Sequence, residues 1–106
     1  MTTQTAAEAD ECPVVGTLED VLAALGDPVR LEMVRRMWGA GGPKPCGQLY
    51  AGVSKSTASH HFKVLREAGI VRTARINGKV HQELRKAELE AAFGPVLESV
   101  VRAANR

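Results

Sequence analysis

The stretch that decides the fold runs from Gly47 to Leu84: Gly-Gln-Leu-Tyr-Ala-Gly-Val-Ser-Lys-Ser-Thr-Ala-Ser-His-His-Phe-Lys-Val-Leu-Arg-Glu-Ala-Gly-Ile-Val-Arg-Thr-Ala-Arg-Ile-Asn-Gly-Lys-Val-His-Gln-Glu-Leu. It reads as a short helix at Gln48 to Ala51, a tight turn at Gly52-Val53, a longer helix and a two-stranded ribbon. The longer helix opens at Ser54, whose hydroxyl suits the free N–H groups of a first turn, and stops at Gly69. Ala58, Phe62, Leu65 and Ala68 share one face at helical spacing, with His61 and Val64 beside them. Lys55, Ser56, Ser59, His60 and Lys63 share the other. Such a helix can pack on a core with one side and offer hydroxyls, imidazole and charge to duplex DNA with the other. An ordinary amphipathic surface helix is the competing reading.

The flanking residues favour the groove reading. Ile70 to Ile76 and Lys79 to Leu84 flank Asn77-Gly78, the strongest two-residue hairpin signal because both positions tolerate positive φ. Arg75, Asn77 and Lys79 sit at that hairpin's tip, where a basic loop can hold phosphate or probe the minor groove.

Three segments, in order, resemble the winged-helix repressors of the ArsR/SmtB type. They are Ala24-Leu25-Gly26-Asp27-Pro28-Val29-Arg30-Leu31, then Ser54 to His61, then Val64-Leu65-Arg66-Glu67-Ala68-Gly69-Ile70-Val71. The resemblance spans residues 18–85. It implies a mostly α winged helix-turn-helix fold with a small β-hairpin, dimerising through N- and C-terminal helices. It also implies a homodimeric repressor on an inverted-repeat operator in double-stranded DNA. Lys55, Ser56, Thr57, Ser59 and His60 would then face bases or the nearest phosphates, with Lys63, Arg72, Arg75 and Lys79 supplying charge to the backbone.

At 106 residues the chain is one small domain. No apolar run approaches a membrane span and the N-terminus lacks a signal pattern, so a cytoplasmic protein with no membrane partner is expected. Its net charge of +2 hides an asymmetry. Residues 1–33 hold Glu8, Asp10, Glu11, Glu19, Asp20, Asp27 and Glu32 against Arg30, a net of −6. Residues 54–86 hold Lys55, Lys63, Arg66, Arg72, Arg75, Lys79, Arg85 and Lys86 against Glu67 and Glu83, a net of +6. Positive charge therefore collects where the helix and hairpin lie.

Residues 1–16 read as a mobile arm and 17–106 as the domain. Thr17 caps a helix with the stripe Leu18, Val21, Leu22 and Leu25; Asp27-Pro28 restarts another, lined by Leu31, Val34 and Trp38. Arg30, Arg35 and Arg36 are expected to be mostly solvated. Gly39 to Pro45 reads as a loop. Lys86 to Phe93 and Val96 to Ala104 are helical around Gly94-Pro95, with Leu97, Val100, Val101 and Ala104 as an apolar stripe. The resemblance assigns this terminal segment, 86–104, to dimerisation; packing on its own core is the alternative.

Family members commonly leave DNA on binding a metal ion or arsenical. One of their sites pairs thiolates at the start of the third helix, sometimes with cysteines of the arm. Here Cys46 stands in that region and Cys12 on the arm, so a soft metal, an arsenical or a thiol-redox change at Cys12 and Cys46 is the candidate signal. Two unrelated free thiols are the alternative, and no cofactor is required. Residues 86–106 contain no Asp or His, which removes the family's terminal-helix metal site. His60 and His61 point about 100° apart on a helix and cannot chelate together from one face. His61 reads as a hydrogen-bonded core residue, His60 as facing DNA and His81 as solvated. A winged-helix protein-interaction module without DNA binding is the second function considered, and the absence of acids in 55–63 argues against it. With no Cys-x-x-Cys, nucleotide loop or Ser/His/Asp set, catalysis is rejected.

Overall fold

The computed structural model describes residues 15–105. Cys12 and most of the expected arm lie outside them. Helix α1 spans Leu18–Leu25, α2 Pro28–Trp38, β1 Lys44–Pro45, α3 Lys55–Glu67, β2 Val71–Ile76, β3 Lys79–Leu84, α4 Lys86–Phe93 and α5 Val96–Ala104. A single 3-10 turn at Cys46–Gln48 precedes α3.

Local chemistry accounts for the helix starts. Thr17 and Asp20 form a reciprocal capping box on α1. On α2 the Asp27 carboxylate accepts from the N–H groups of Val29 and Arg30 at 2.8 and 3.2 Å, with Pro28 at the first helical position, where its missing N–H costs nothing. The α3 stop is a Schellman closure. Gly69 N–H reaches the Arg66 carbonyl and Ile70 N–H the Leu65 carbonyl, both at 3.0 Å, and Leu65 and Ile70 are fully buried together.

The core gathers one face from each helix. Ala58, Phe62, Leu65 and Ala68 of α3 are all buried, as their spacing requires. They meet Val21, Ala24 and Leu25 of α1, Met33, Val34 and Met37 of α2, and Leu97 and Val101 of α5. Burying a Phe or Leu side chain contributes roughly 1.5–3 kcal/mol, so the α3 face is the largest single tether of that helix. Tyr50 packs edge-on against Phe62, with centroids 6.2 Å apart.

Several expectations are corrected. Lys44–Pro45, placed in a loop by composition, is a short strand paired antiparallel with β3 (Lys44↔Gln82, Pro45↔His81), so the ribbon is a three-stranded sheet of order β1-β3-β2. Pro45 is tolerated there because β1 is an edge. The expected helix at Gln48 to Ala51 is instead the 3-10 turn at Cys46–Gln48, followed by irregular chain with Leu49 buried and Tyr50 half-buried. On α1 the stripe is rotated: Ala24 is buried, while Leu18 and Leu22 are 40% and 46% exposed. On α2 the core residues are Met33, Val34 and Met37, with Leu31 and Trp38 only half-buried. The terminal helix lays Leu97 and Val101 on the chain's own core and leaves Val100 and Ala104 half-buried. Gly16, the last residue assigned to the arm, donates its N–H to the Ala68 carbonyl at 3.0 Å.

Candidate nucleic-acid interface

The outer side of α3 is built by what its inner side buries. With Ala58, Phe62 and Leu65 fixed inward, Lys55, Ser56, Thr57, Ser59, His60 and Lys63 are all exposed. The N-terminus of the helix is organised by hydroxyls. Ser54 Oγ accepts from the Thr57 N–H at 3.1 Å, bonds the Thr57 hydroxyl at 3.0 Å and lies 3.2 Å from the Ser56 hydroxyl. No acid stands in this first turn. Unpaired N–H groups and the helix dipole therefore add to the pull of Lys55 on an anion. The turn before the helix needs Gly52 at φ +81°, a conformation that side-chain-bearing residues avoid, and Val53 packs half-buried on the core.

The wing lies beside this helix. Strands β2 and β3 pair from Val71↔Leu84 to Ile76↔Lys79, and Asn77 and Gly78 close the hairpin with φ of 53° and 78°. Arg75, Asn77, Gly78 and Lys79 are exposed at the tip. Among the described residues no carboxylate comes within 4.0 Å of Lys55, Lys63, Arg75 or Lys79.

Arg72 does not join them. Its guanidinium lies 3.3 Å from Glu83 and 3.2 Å from Glu88, at the base of the wing, and Glu88 also faces the buried Arg85 at 3.6 Å. Desolvation opposes ionisation of Glu88, but a backbone N–H and the charges of Arg72 and Arg85 hold its carboxyl below the usual range. Arg72, expected to offer charge to a DNA backbone, is thus ion-paired within the chain. Its same-face pair on the ribbon, Arg72↔Glu83, announced this only once the register was known.

Arg30 is a second departure. Expected in solvent, it is half-buried, donating from Nε to the Ala24 carbonyl at 2.7 Å and from Nη1 to His61 Nδ1 at 3.1 Å. Arg35 and Arg36, by contrast, are exposed and both grip Glu32, at 2.6 and 2.7 Å. His61 is half-buried and hydrogen-bonded, as read from its place beside the apolar face. His81, expected to be solvated, is half-buried with Nδ1 against the Lys79 carbonyl at 3.1 Å.

Of the two candidate thiols, only Cys46 is within the described residues. It is a free, half-buried cysteine whose Sγ accepts from Gln82 Nε2 at 3.7 Å. Among those residues no group of three or more His, Cys, Asp or Glu side chains is placed to hold a metal ion. No helix among them is long and apolar enough to cross a membrane.

A helix-turn-helix domain family matches residues 25–74, which run from the end of α1 to the middle of β2. A curated relative, the uncharacterized HTH-type transcriptional regulator YceK of Bacillus subtilis (strain 168), is 32% identical over 82 residues, covering 76% of this chain and 82% of its own length. The chain belongs to the helix-turn-helix transcriptional regulators. Among solved structures it is similar to the transcriptional repressor BigR from Xylella fastidiosa, with a TM-score of 0.64, 26% identity, and 97% and 96% of the two chains covered. An ArsR-like transcriptional regulator from Rhodococcus sp. RHA1 shares the fold, with a TM-score of 0.61, 23% identity, and 98% and 89% coverage. In this helix-turn-helix regulator the matched family segment contains α3 and ends before the wing tip, so Arg75 and Lys79 stand on this chain's own geometry.

Proposed function

We propose that this helix-turn-helix regulator acts as a homodimeric repressor. Two copies of α3 would enter successive major grooves of an inverted-repeat operator, with the wing tips on the flanking phosphates. One observation carries the reading: the exposed face Lys55, Ser56, Thr57, Ser59, His60 and Lys63 has no carboxylate on it, and its lysines form no ion pair among the described residues. Cations left uncompensated by the protein are available to replace the counterions of a polyanion. A winged-helix module for protein partners would show acids or bulky apolar groups on this face, and it shows neither.

Dimerisation is supported by α1. Leu18 and Leu22 are one turn apart on the same side and leave two large apolar side chains in water. Covering them with a second copy would remove that cost and set two α3 helices at a fixed spacing. Sedimentation of Leu18→Glu/Leu22→Glu should give a monomer where the wild type gives a dimer, and a wild type that sediments as a monomer refutes the dimer.

A salt titration of operator affinity tests the DNA contacts. Lys79→Ala should weaken binding to every sequence and lower the slope of log K against log salt by about one. Changes at Ser56 or His60 should instead shift sequence preference. Identical slopes for wild type and Lys79→Ala would contradict a phosphate role for the wing tip. We further propose Cys46, with Cys12, as the point where a soft metal, an arsenical or a redox change releases the protein. If Cys46→Ser responds unchanged to such reagents, that proposal is to be dropped.

A further inference from the structure

Adjacent histidines on α3 are put to different uses. His60 faces outward, whereas the His61 ring turns to the N-terminal end of α2, 5.6 Å from the His60 ring centroid. There its Nδ1 lies 3.1 Å from Arg30 Nη1. A guanidinium has donors only and keeps its proton throughout the accessible pH range. The lone pair must therefore belong to His61, which fixes the neutral imidazole with its proton on Nε2. Arg30 is in turn anchored to α1 through the Ala24 carbonyl at 2.7 Å. One chain of hydrogen bonds thus ties α1, α2 and α3 together.

We propose that His61 is a positioning residue for DNA binding: as a neutral acceptor for Arg30 it fixes the orientation of α3, and its protonation releases that clamp and weakens binding. The inference rests on the reading of α3 as the groove-binding helix. The charged groups around the ring make the effect directional. Arg30, in contact from α2, repels an imidazolium. Asp27, also on the α2 N-terminus and electrostatically coupled to His61, attracts one. On α3 itself the neighbouring titratable group is His60. From α1 the approach is made by the neutral Ala24 carbonyl through Arg30, and β2, which also packs on α3, is buried at Val71. Protonation occupies the Nδ1 lone pair that accepts from Arg30, so the tie from α3 through Arg30 to α1 is lost. The sign follows: the clamp holds while the ring is neutral and is lost when Nδ1 takes a proton, so acid weakens it.

A proton gained by the neighbouring His60 imidazole would add charge to the exposed face, so the comparison is made in a His60→Gln background. The probe is a duplex selected by the His60→Gln protein from random sequence at about pH 8. Affinity of His60→Gln for it should fall by roughly tenfold between about pH 8 and about pH 5, a typical size for coupling between sites. His60→Gln/His61→Asn should hold its affinity, because the Asn carbonyl stands near the place of Nδ1 and accepts from Arg30 without titrating. In the free wild-type protein, nitrogen-15 spectra of the imidazoles should show His61 as the Nε2–H tautomer at high pH. Coincident pH profiles for the two variants, or an Nδ1–H tautomer, overturn the inference while leaving DNA binding standing. Failure to select any duplex overturns the DNA reading and this inference with it.

Discussion

Arg72 and Lys79 lie on the same face of one ribbon, at its base and near its tip, and carry the same charge. At the base, Arg72 is shared between Glu83 and Glu88, half-buried against α4. At the tip, Lys79 is exposed and unpaired among the described residues. The contrast extends over the molecule. Arg30, Arg35, Arg36 and Arg85 are also held by the chain's own acceptors, and Arg102 by Glu98 at 2.9 Å. Lys55, Lys63 and Arg75 resemble Lys79. A cation answered internally braces a helix or joins two elements, while one left in water is available to an external anion. Charge counting along the sequence treats both as one patch.

The strongest break of this comparison removes the platform on which both sets stand. Phe62→Ala deletes a 4%-exposed ring at the centre of the α3 face and should cost about 3–5 kcal/mol of folding stability. For so small a domain that is a large share of the total. Chemical denaturation reads it directly. A loss below about 1 kcal/mol would mean that the core around Tyr50 and Phe62 collapses to fill the space.

A matched pair of substitutions sharpens the comparison next. Lys63→Ala should leave stability within about 0.5 kcal/mol, because the side chain is exposed, yet lower the salt slope of DNA binding by about one. Arg72→Ala should do the reverse, costing about 1 kcal/mol through the loss of two partly screened ion pairs and leaving the slope unchanged. A lowered slope for Arg72→Ala would show that DNA draws the guanidinium away from Glu83 and Glu88.

Much of this division was readable from spacing alone. The α3 face, its Ser54 cap and Gly69 stop, the Asn77-Gly78 hairpin and the break at Gly94-Pro95 are local signals, each decided by a few neighbouring residues. What escaped depends on tertiary pairing. The strand at Lys44–Pro45 exists because β3 offers it an edge, against the composition of its own loop. Arg30 reads as one more surface cation until α3 brings His61 to it across thirty-one residues of sequence. Leu18 and Leu22 satisfy helical periodicity as well as Ala24 does, and the sequence pattern could not say which side of α1 would meet the core. Their exposure in turn became the argument for a second copy.

The smallest expected effect concerns the acids that answer the internal cations. Glu32 is held below the usual carboxylate range first by its hydrogen bond to Arg36 and then by that to Arg35. For Asp27, desolvation opposes ionisation but is outweighed by the N–H bonds from Arg30 and Val29 together with attraction to His61 and Arg30. Glu88 is lowered as well, by its backbone N–H and the two arginines. Each of these carboxyls binds a proton less readily folded than unfolded. Their contribution to stability is therefore complete above the unfolded carboxylate value, about pH 4, and is lost as pH falls below it through the folded values. Denaturation midpoints should stay level from neutral pH down to about pH 5 for these groups and decline beneath that. Glu32→Gln should start lower and decline less steeply, whereas Glu67→Gln, which removes an exposed acid with no ion pair among the described residues, should follow the wild-type slope. Equal slopes for wild type and Glu32→Gln would mean that the grip of Arg35 and Arg36 on Glu32 contributes nothing in water, as many exposed ion pairs do.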